Sequence, residues 1–299
     1  MKLTYIVPKI TQYHYLKEVL KVEFSISDRL LLKLKNKQKI FLNEKVASVN
    51  SPVFPNDKIE ISLEYEEESN NIVPTKMDLD ILYEDEAYLI INKPAGIPVH
   101  PSMEHYEDSL SNGVKYYFNE INLAKKIRPV NRLDKDTSGI VVFAKNEYIQ
   151  ECLIQQMKSK EFVKKYIAIV NGHLSKKEGT ICASIARKPN SIIERCIDEN
   201  GDTSITHYQV LQSDNERNFD IVECILETGR THQIRVHFSY LGHPLLGDTL
   251  YGSASPFINR QALHAYFISF IHPITKEKKN YKAILPEDMQ LCKNDILLN

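Results

Sequence analysis

The stretch Arg128-Pro129-Val130-Asn131-Arg132-Leu133-Asp134-Lys135-Asp136-Thr137-Ser138-Gly139 runs into Ile140-Val141-Val142-Phe143-Ala144 and ends at Lys145. A polar turn rich in Arg, Asp, Thr and Ser enters a five-residue apolar run, which reads as a buried strand. Thr137 and Ser138 can bond local backbone, and Gly139 permits close approach of another chain segment. Asp134 is therefore a short, stiff carboxylate at the edge of a sheet, with Arg132 two residues away. A positioned carboxylate can serve as nucleophile or general base. The bland alternative is a turn aspartate beside a surface arginine, and chemistry alone does not separate the two.

A second stretch, Thr228-Gly229-Arg230-Thr231-His232-Gln233-Ile234-Arg235-Val236-His237, has Thr231 as an expected helix N-cap and Arg235 one turn inside the helix. An arginine near a buried aspartate would keep that carboxylate ionised. Two rival readings fail on pattern. Asp134-Lys135-Asp136-Thr137 resembles the D-x-D-x-T motif of haloacid-dehalogenase-type phosphatases, but there the first Asp ends an apolar strand, whereas here the strand follows. His232, His237 and His243 do not make a metal site: His232 and His237 are five apart, and zinc-binding helices favour a spacing of four. No metal and no cofactor are expected.

Outward from these motifs, residues 78–299 read mostly as strands with a few helices. Strands are expected at 81–83, 87–92, 140–144, 162–170, 204–211, 219–226 and 262–271. Helices are expected at 108–121, from Asn146 through Met157, and around Ile234 to Leu241. Runs of strands without regular βαβ alternation argue for an α+β fold with a largely antiparallel sheet. Residues 64–78, acidic, then polar, then Pro74, show no burying period and read as a linker. Before it, residues 1–70 form a small unit. Leu16, Leu20 and Phe24 mark one short helix. Leu30, Leu31 and Leu34 mark a second, capped by Ser27, and short strands follow.

The 299 residues are 42% hydrophobic and 26% charged, enough for a packed core. No apolar run approaches the ~18 residues of a membrane span, and no signal peptide is evident, so a cytoplasmic chain is expected. Five cysteines (Cys152, Cys182, Cys196, Cys224, Cys292) without a C-x-x-C pair disfavour a disulfide framework or zinc ribbon. The net charge of −1 hides blocks. Residues 28–45 carry six bases against two acids, and 125–188 carry fourteen against six. Residues 56–68 and 78–108 are acidic. The expectation is one basic face joining the small unit to the cleft, with acids on the far side.

Together, Asn131-Arg132-Leu133-Asp134, Thr137-Ser138-Gly139 and Ala144-Lys145 resemble the H-R-L-D-x-x-T-S-G…A-K motif of the RluA-type pseudouridine synthases. The resemblance extends over residues 78–290 through Asn92-Lys93-Pro94-Ala95-Gly96, Lys164-Lys165-Tyr166, the Thr228–His237 stretch, and Gly247-Asp248 with Tyr251-Gly252. It implies a pseudouridine synthase fold: a mixed, largely antiparallel sheet flanked by helices. The activity it implies is isomerisation of uridine to pseudouridine within ribosomal or transfer RNA. Asp134 matches the essential aspartate, Arg235 its arginine partner, and Tyr166 the tyrosine that packs on the target base. Arg132 matches the arginine that fills the gap left by the flipped nucleotide. Asn131, Thr137, Arg230 and His232 fall among the expected RNA contacts. Asn131 stands where the family most often has His. The first unit is similar to a degenerate S4-type RNA-binding domain, which makes Arg29, Lys33, Lys35 and Lys37 candidate RNA contacts. A non-catalytic RNA-binding or ribosome-assembly factor that retains the fold is the alternative. RNA is the expected partner and a monomer the expected state.

Overall fold

The structure, a computed structural model, describes residues 1–67 and 72–290. Part of the expected linker, the last residues of the second segment and Cys292 lie outside the described residues.

The first segment contains β1 (Lys2–Ile6), α1 (Leu16–Val22), α2 (Asp28–Asn36), β2 (Ile40–Leu42), β3 (Lys45–Val46) and β4 (Lys58–Ser62). Its strands form an antiparallel sheet in the order β1-β4-β2-β3. The Ser27 hydroxyl caps α2 by accepting the Leu30 N–H at 3.2 Å. Leu30, Leu31 and Leu34 are buried, as their spacing requires.

The second segment contains β5 (Ile81–Glu84), β6 (Tyr88–Lys93), α3 (Leu110–Glu120), β7 (Ser138–Ala144), α4 (Glu147–Lys158), β8 (Val163–Asn171) and β9 (Glu178–Cys182). It continues with β10 (Ile185–Arg187), β11 (Arg195–Ile197), β12 (Ile205–Asp214), β13 (Phe219–Leu226), α5 (Gln233–Tyr240), β14 (Leu263–Ile271) and β15 (Lys278–Lys282). The main sheet runs β5-β6-β7-β14-β8-β13-β12-β9, with β15 paired to β14. Among the described strands its one parallel pairing is β7 with β14, and that pairing lasts only two residues, His264 with Ser138 and Ala265 with Gly139. The result is the expected α+β fold with a mixed, mostly antiparallel sheet.

Alternation along the central strands divides the core. Tyr88, Ile90, Ile140, Val142 and Ala144 face α4 and the first segment, in one buried cluster with Ile149, Leu153, Leu3 and Leu63. Leu89, Ile91, Val141 and Phe143 face the other way, onto Val114 and Phe118 of α3 and Phe238 of α5. Each such side chain, fully buried, contributes roughly 1.5–3 kcal/mol. Tyr166 of β8 lies on the α3/α5 face, so the site forms there.

β7 leaves β14 after Gly139, and residues 128–131 take over its exposed edge. Val130 N–H donates to Val142 O at 2.7 Å, and Ala144 N–H donates to Arg128 O at 2.9 Å. Gly139 lets β7 lie this close to β14 before the two part. Its φ is +116°, and a Cβ there would lie 2.3 Å from Ala265 O.

Three sequence expectations need correction. The stretch from residue 64 was read as burying nothing, yet Tyr65 and Glu67 are buried. Glu67 accepts both Nη groups of Arg128, at 2.7 and 2.8 Å, and Lys33 Nζ at 2.5 Å, so the stretch ties the two segments together. Acids also stand among the bases rather than on a far side. Lys33 reaches Glu147 at 2.9 Å as well as Glu67, and Arg29 lies 3.5 Å from Glu147. Finally, β9, β10, β11 and β15 carry too little apolar sequence, or are too short, to have been read as strands, and β1, with Leu3, Tyr5 and Ile6, was not read as one either. No helix among the described residues is long and apolar enough to cross a membrane.

Candidate active site

A cleft of about 770 Å³ opens at the start of β7 and β8. Asn131, Arg132, Asp134, Thr137, Tyr166, Arg230, His232 and Arg235 all line it. The two motifs, a hundred residues apart in sequence, thus meet at one place.

Asp134 sits on a turn closed by Thr137 N–H, which donates to Asp134 O at 3.1 Å. The turn is gripped from several sides. Buried Lys93 donates from Nζ to Lys135 O at 2.9 Å, Pro94 O at 2.7 Å and Ile97 O at 2.8 Å. Arg260 Nη1 donates to Asp136 O at 3.0 Å, and Gln261 Nε2 donates to Thr137 Oγ1 at 3.3 Å. The Asp134 side chain keeps 27% exposure, facing the cleft.

Arg235 is the third residue of α5 and is buried. Asp248, its side chain wholly buried, accepts from Nε at 2.7 Å and Nη2 at 2.8 Å. Nη1 is left to face Asp134 Oδ2 at 3.5 Å. Burial works against the guanidinium charge, but the Asp248 carboxylate outweighs it and raises the pKa of Arg235.

His232 Nε2 lies 3.9 Å from Asp134 Oδ2, and its Nδ1 bonds the Tyr251 hydroxyl at 2.8 Å. Burial pushes the imidazole below its ordinary pKa, against the pull of Asp134. Tyr251 also accepts the Arg195 N–H at 2.8 Å, and its ring lies 5.0 Å from Arg235 Cζ. Tyr166 is buried, and burial followed by the Asp134 charge pushes its phenol well up, so it stays neutral. Arg132 is exposed at the cleft and has no carboxylate partner among the described residues. Arg230, also exposed, donates from Nε to Thr203 O at 3.2 Å.

Three residues differ from their expected roles. Asn131 was read as an RNA contact, but both ends of its amide are taken by β7. Nδ2 donates to Ile140 O and Oδ1 accepts Val142 N–H, each at 2.9 Å. It continues along β7 the pairing that Arg128 and Val130 make through their backbone. Thr231 is not the cap of α5. That position is His232, in the left-handed region at φ +59°, and the preceding turn is held by Gln233, whose Oε1 accepts Arg230 N–H at 3.0 Å and Thr228 Oγ1 at 2.8 Å. Lys33 is spent on Glu67 and Glu147, whereas Arg29, Lys35 and Lys37 are exposed. His237 bonds Thr206 Oγ1 and Ala183 O, and His243 bonds Asn171 O, so the three histidines do not converge. Asp248 and Tyr251, not read as site residues, complete the constellation. Their signal was the short Gly247-Asp248…Tyr251-Gly252 pattern.

Residues 87–240 match the family described as RNA pseudouridylate synthase. The chain is 41% identical over 280 residues to an uncharacterised RNA pseudouridine synthase, YhcT, of Bacillus subtilis, covering 93% of this chain and 92% of that one. It is 36% identical to the ribosomal large subunit pseudouridine synthase D of Buchnera aphidicola, covering 87% and 85%. Among solved structures, human RNA pseudouridylate synthase domain containing 1 is similar with a TM-score of 0.58 at 27% identity, over 69% of this chain and 83% of that one. The aspartate turn and the arginine helix both fall inside the matched region, and the relatives align over most of their own length. The chain belongs to the RluA-type family of RNA pseudouridine synthases, which are isomerases.

Proposed function

We propose that this chain converts specific uridines of RNA, ribosomal RNA in the first place, to pseudouridine, with Asp134 as the catalytic carboxylate and the target nucleotide flipped out of its stack. The observation that carries this reading is the half-free carboxylate. Arg235 Nη1 faces one oxygen of Asp134 at 3.5 Å, and the carboxylate remains open to the cleft.

A uridine inside structured RNA hides its glycosidic bond, so extrusion at a few kcal/mol precedes chemistry. Arg132, exposed and without an acid partner, suits the vacated stack, since a guanidinium can stack and bond phosphate together. Tyr166 offers its ring to the extruded base, worth about 1–3 kcal/mol. The bond from ribose C1′ to N1 breaks, the uracil turns while held, and C5 joins C1′. C5 loses its proton and N1 gains one, so no other reactant is consumed. Asp134 acts at the sugar, either by attack on C1′ or by taking a sugar proton.

The relatives named for the ribosomal large subunit favour ribosomal RNA as target, with transfer RNA second. Residues 1–70 act as an S4-like RNA-binding domain in front of a catalytic domain from 78 to 299, in a cytoplasmic monomer. Mapping pseudouridine in total RNA from cells with and without the gene identifies the sites. Restoring them with wild type but not with Asp134→Asn, at equal RNA affinity, is the expected result. Normal turnover by that variant, or an unchanged map, overturns the reading.

A further inference from the structure

The cleft between the first segment and α3 lies apart from Asp134 and has about 920 Å³ of space. Its walls come from both segments: Lys33 and Lys37 at the end of α2, Lys115 on α3, and Lys126 beyond it. Asn119 and Asn122 stand beside these cations and can donate from their amides.

We propose that this cleft is a second binding site, for the phosphodiester backbone of the same RNA whose uridine enters the Asp134 cleft. The proposal rests on the reading of RNA as substrate given above. Charge accounting supports it. Two acids, Glu66 and Glu67, also line the cleft; Glu67 is buried and neutralised by Arg128 and Lys33, which leaves exposed Glu66 against Lys37, Lys115 and Lys126. Lys37, Lys115 and Lys126 have no carboxylate within ion-pair distance among the described residues. Beneath them, the Tyr65 ring lies 4.8 Å from Lys33 Nζ, 5.3 Å from Lys37 Nζ and 4.9 Å from Lys125 Nζ. Its buried hydroxyl has no hydrogen-bond partner. The folded chain thus gathers like charges that repel one another, an arrangement that an anion relieves.

Distance favours one RNA for both clefts. Lys126 precedes Asp134 by eight residues, which span at most about 28 Å even when extended. The connection is firm, because Arg128 bonds Glu67 on one side and Ala144 N–H on the other. A flexible polyanion fits an open trough with cations from three chain segments better than a compact ligand does.

The test compares full-length wild type with the triple variant Lys37→Ala, Lys115→Ala, Lys126→Ala. A control triple variant, Lys176→Ala, Lys276→Ala, Lys278→Ala, removes exposed lysines elsewhere. RNA affinity for a ribosomal RNA transcript is measured from 50 to 300 mM salt, with kcat and KM for pseudouridine formation. Each lost phosphate contact lowers the salt slope by about 0.7–0.9, so the cleft variant is expected to lose about 2 from its slope. Its KM is expected to rise about tenfold or more with kcat unchanged, and the control to keep the wild-type slope. An unchanged slope and KM in the cleft variant, or an equal loss in the control, overturns the proposal. If the cleft variant instead loses capture of an acidic protein partner and keeps its RNA slope, the proposal is also overturned. Wild type that binds RNA but forms no pseudouridine counts against the proposed function alone.

Discussion

Arg235 gives Asp134 only one nitrogen, at 3.5 Å, because Asp248 holds the other two contacts of its guanidinium at 2.7 and 2.8 Å. The division keeps a positive charge beside the aspartate without consuming its lone pairs. A full bidentate pair would stabilise the carboxylate but occupy the oxygens that the proposed chemistry at the sugar needs. Asp248 in turn is fixed by Leu250 and Tyr251 N–H groups, at 3.1 and 3.2 Å on Oδ1.

Asp248→Asn should therefore impair activity by releasing Arg235 rather than by touching RNA. Loss of one partner leaves a buried guanidinium short of charge, at a cost of about 3–5 kcal/mol. Arg235 is then free to close on Asp134, and small misplacements of reacting groups cost about 10²-fold in rate. The expected result is a kcat drop of about 10²-fold, a lower melting temperature and unchanged RNA affinity. Steady-state kinetics, thermal denaturation and RNA binding on one preparation check all three.

Tyr251→Phe removes a hydroxyl that touches both Arg195 N–H and His232 Nδ1, while keeping the ring beside Arg235. A lost hydrogen bond of this kind costs about 0.5–1.5 kcal/mol. The bond to Nδ1 holds the His232 ring, whose Nε2 lies 3.9 Å from Asp134 Oδ2. We expect kcat to fall about tenfold with KM unchanged, read by single-turnover kinetics. A change confined to KM would place Tyr251 in RNA binding instead.

Which parts of this site were legible in sequence follows from what local pattern can encode. The positions of Asp134 and Arg235, on a polar turn and a helix start beside apolar runs, were legible locally, but that pattern did not tell a site from a surface pair, and their expected roles came from the resemblance. The buried β7 and the Ser27 cap of α2 were legible for the same local reason. Asn131 was not: its partners are backbone atoms of β7, Ile140 O and Val142 N–H, which only the fold brings alongside it. Lys33 was also illegible, since its acids at 67 and 147 are distant in sequence. β15, Lys278–Lys282, packs one aromatic ring, Tyr281, on Tyr83, Tyr88 and Phe270 among residues that are otherwise polar, so hydropathy could not mark it.

Asn131→Ala separates bracing from RNA contact. It strands the Ile140 carbonyl and the Val142 N–H, each at about 1–3 kcal/mol if left unsatisfied. The loop 128–131 should loosen from β7 and carry Asp134 with it. Thermal denaturation should show a drop of several degrees and kinetics a fall in kcat, while RNA affinity at fixed salt stays within twofold. A large loss of affinity with full stability would restore Asn131 to the RNA contacts.

Lys93 links stability to pH. Burial lowers its pKa to about 7 from an ordinary 10.5, with Asp136 pulling the other way. Below pH 7 the ammonium is charged in both folded and unfolded chains. Between pH 7 and 10.5 the folded chain has released the proton and the unfolded chain still holds it, so folding stability from this group rises with pH. Lys93→Met abolishes the effect and leaves the Pro94, Ile97 and Lys135 carbonyls without their donor. Urea denaturation at pH 6 and pH 9 should show wild type above the variant at both, with the gap wider at pH 9. A gap that stays the same from pH 6 to pH 9 would mean that Lys93 keeps its proton in the fold, held by the three carbonyls. Because Lys135 adjoins Asp134, the variant should also lose activity at every pH, and loss of stability without loss of activity would detach Lys93 from the work proposed for the Asp134 turn.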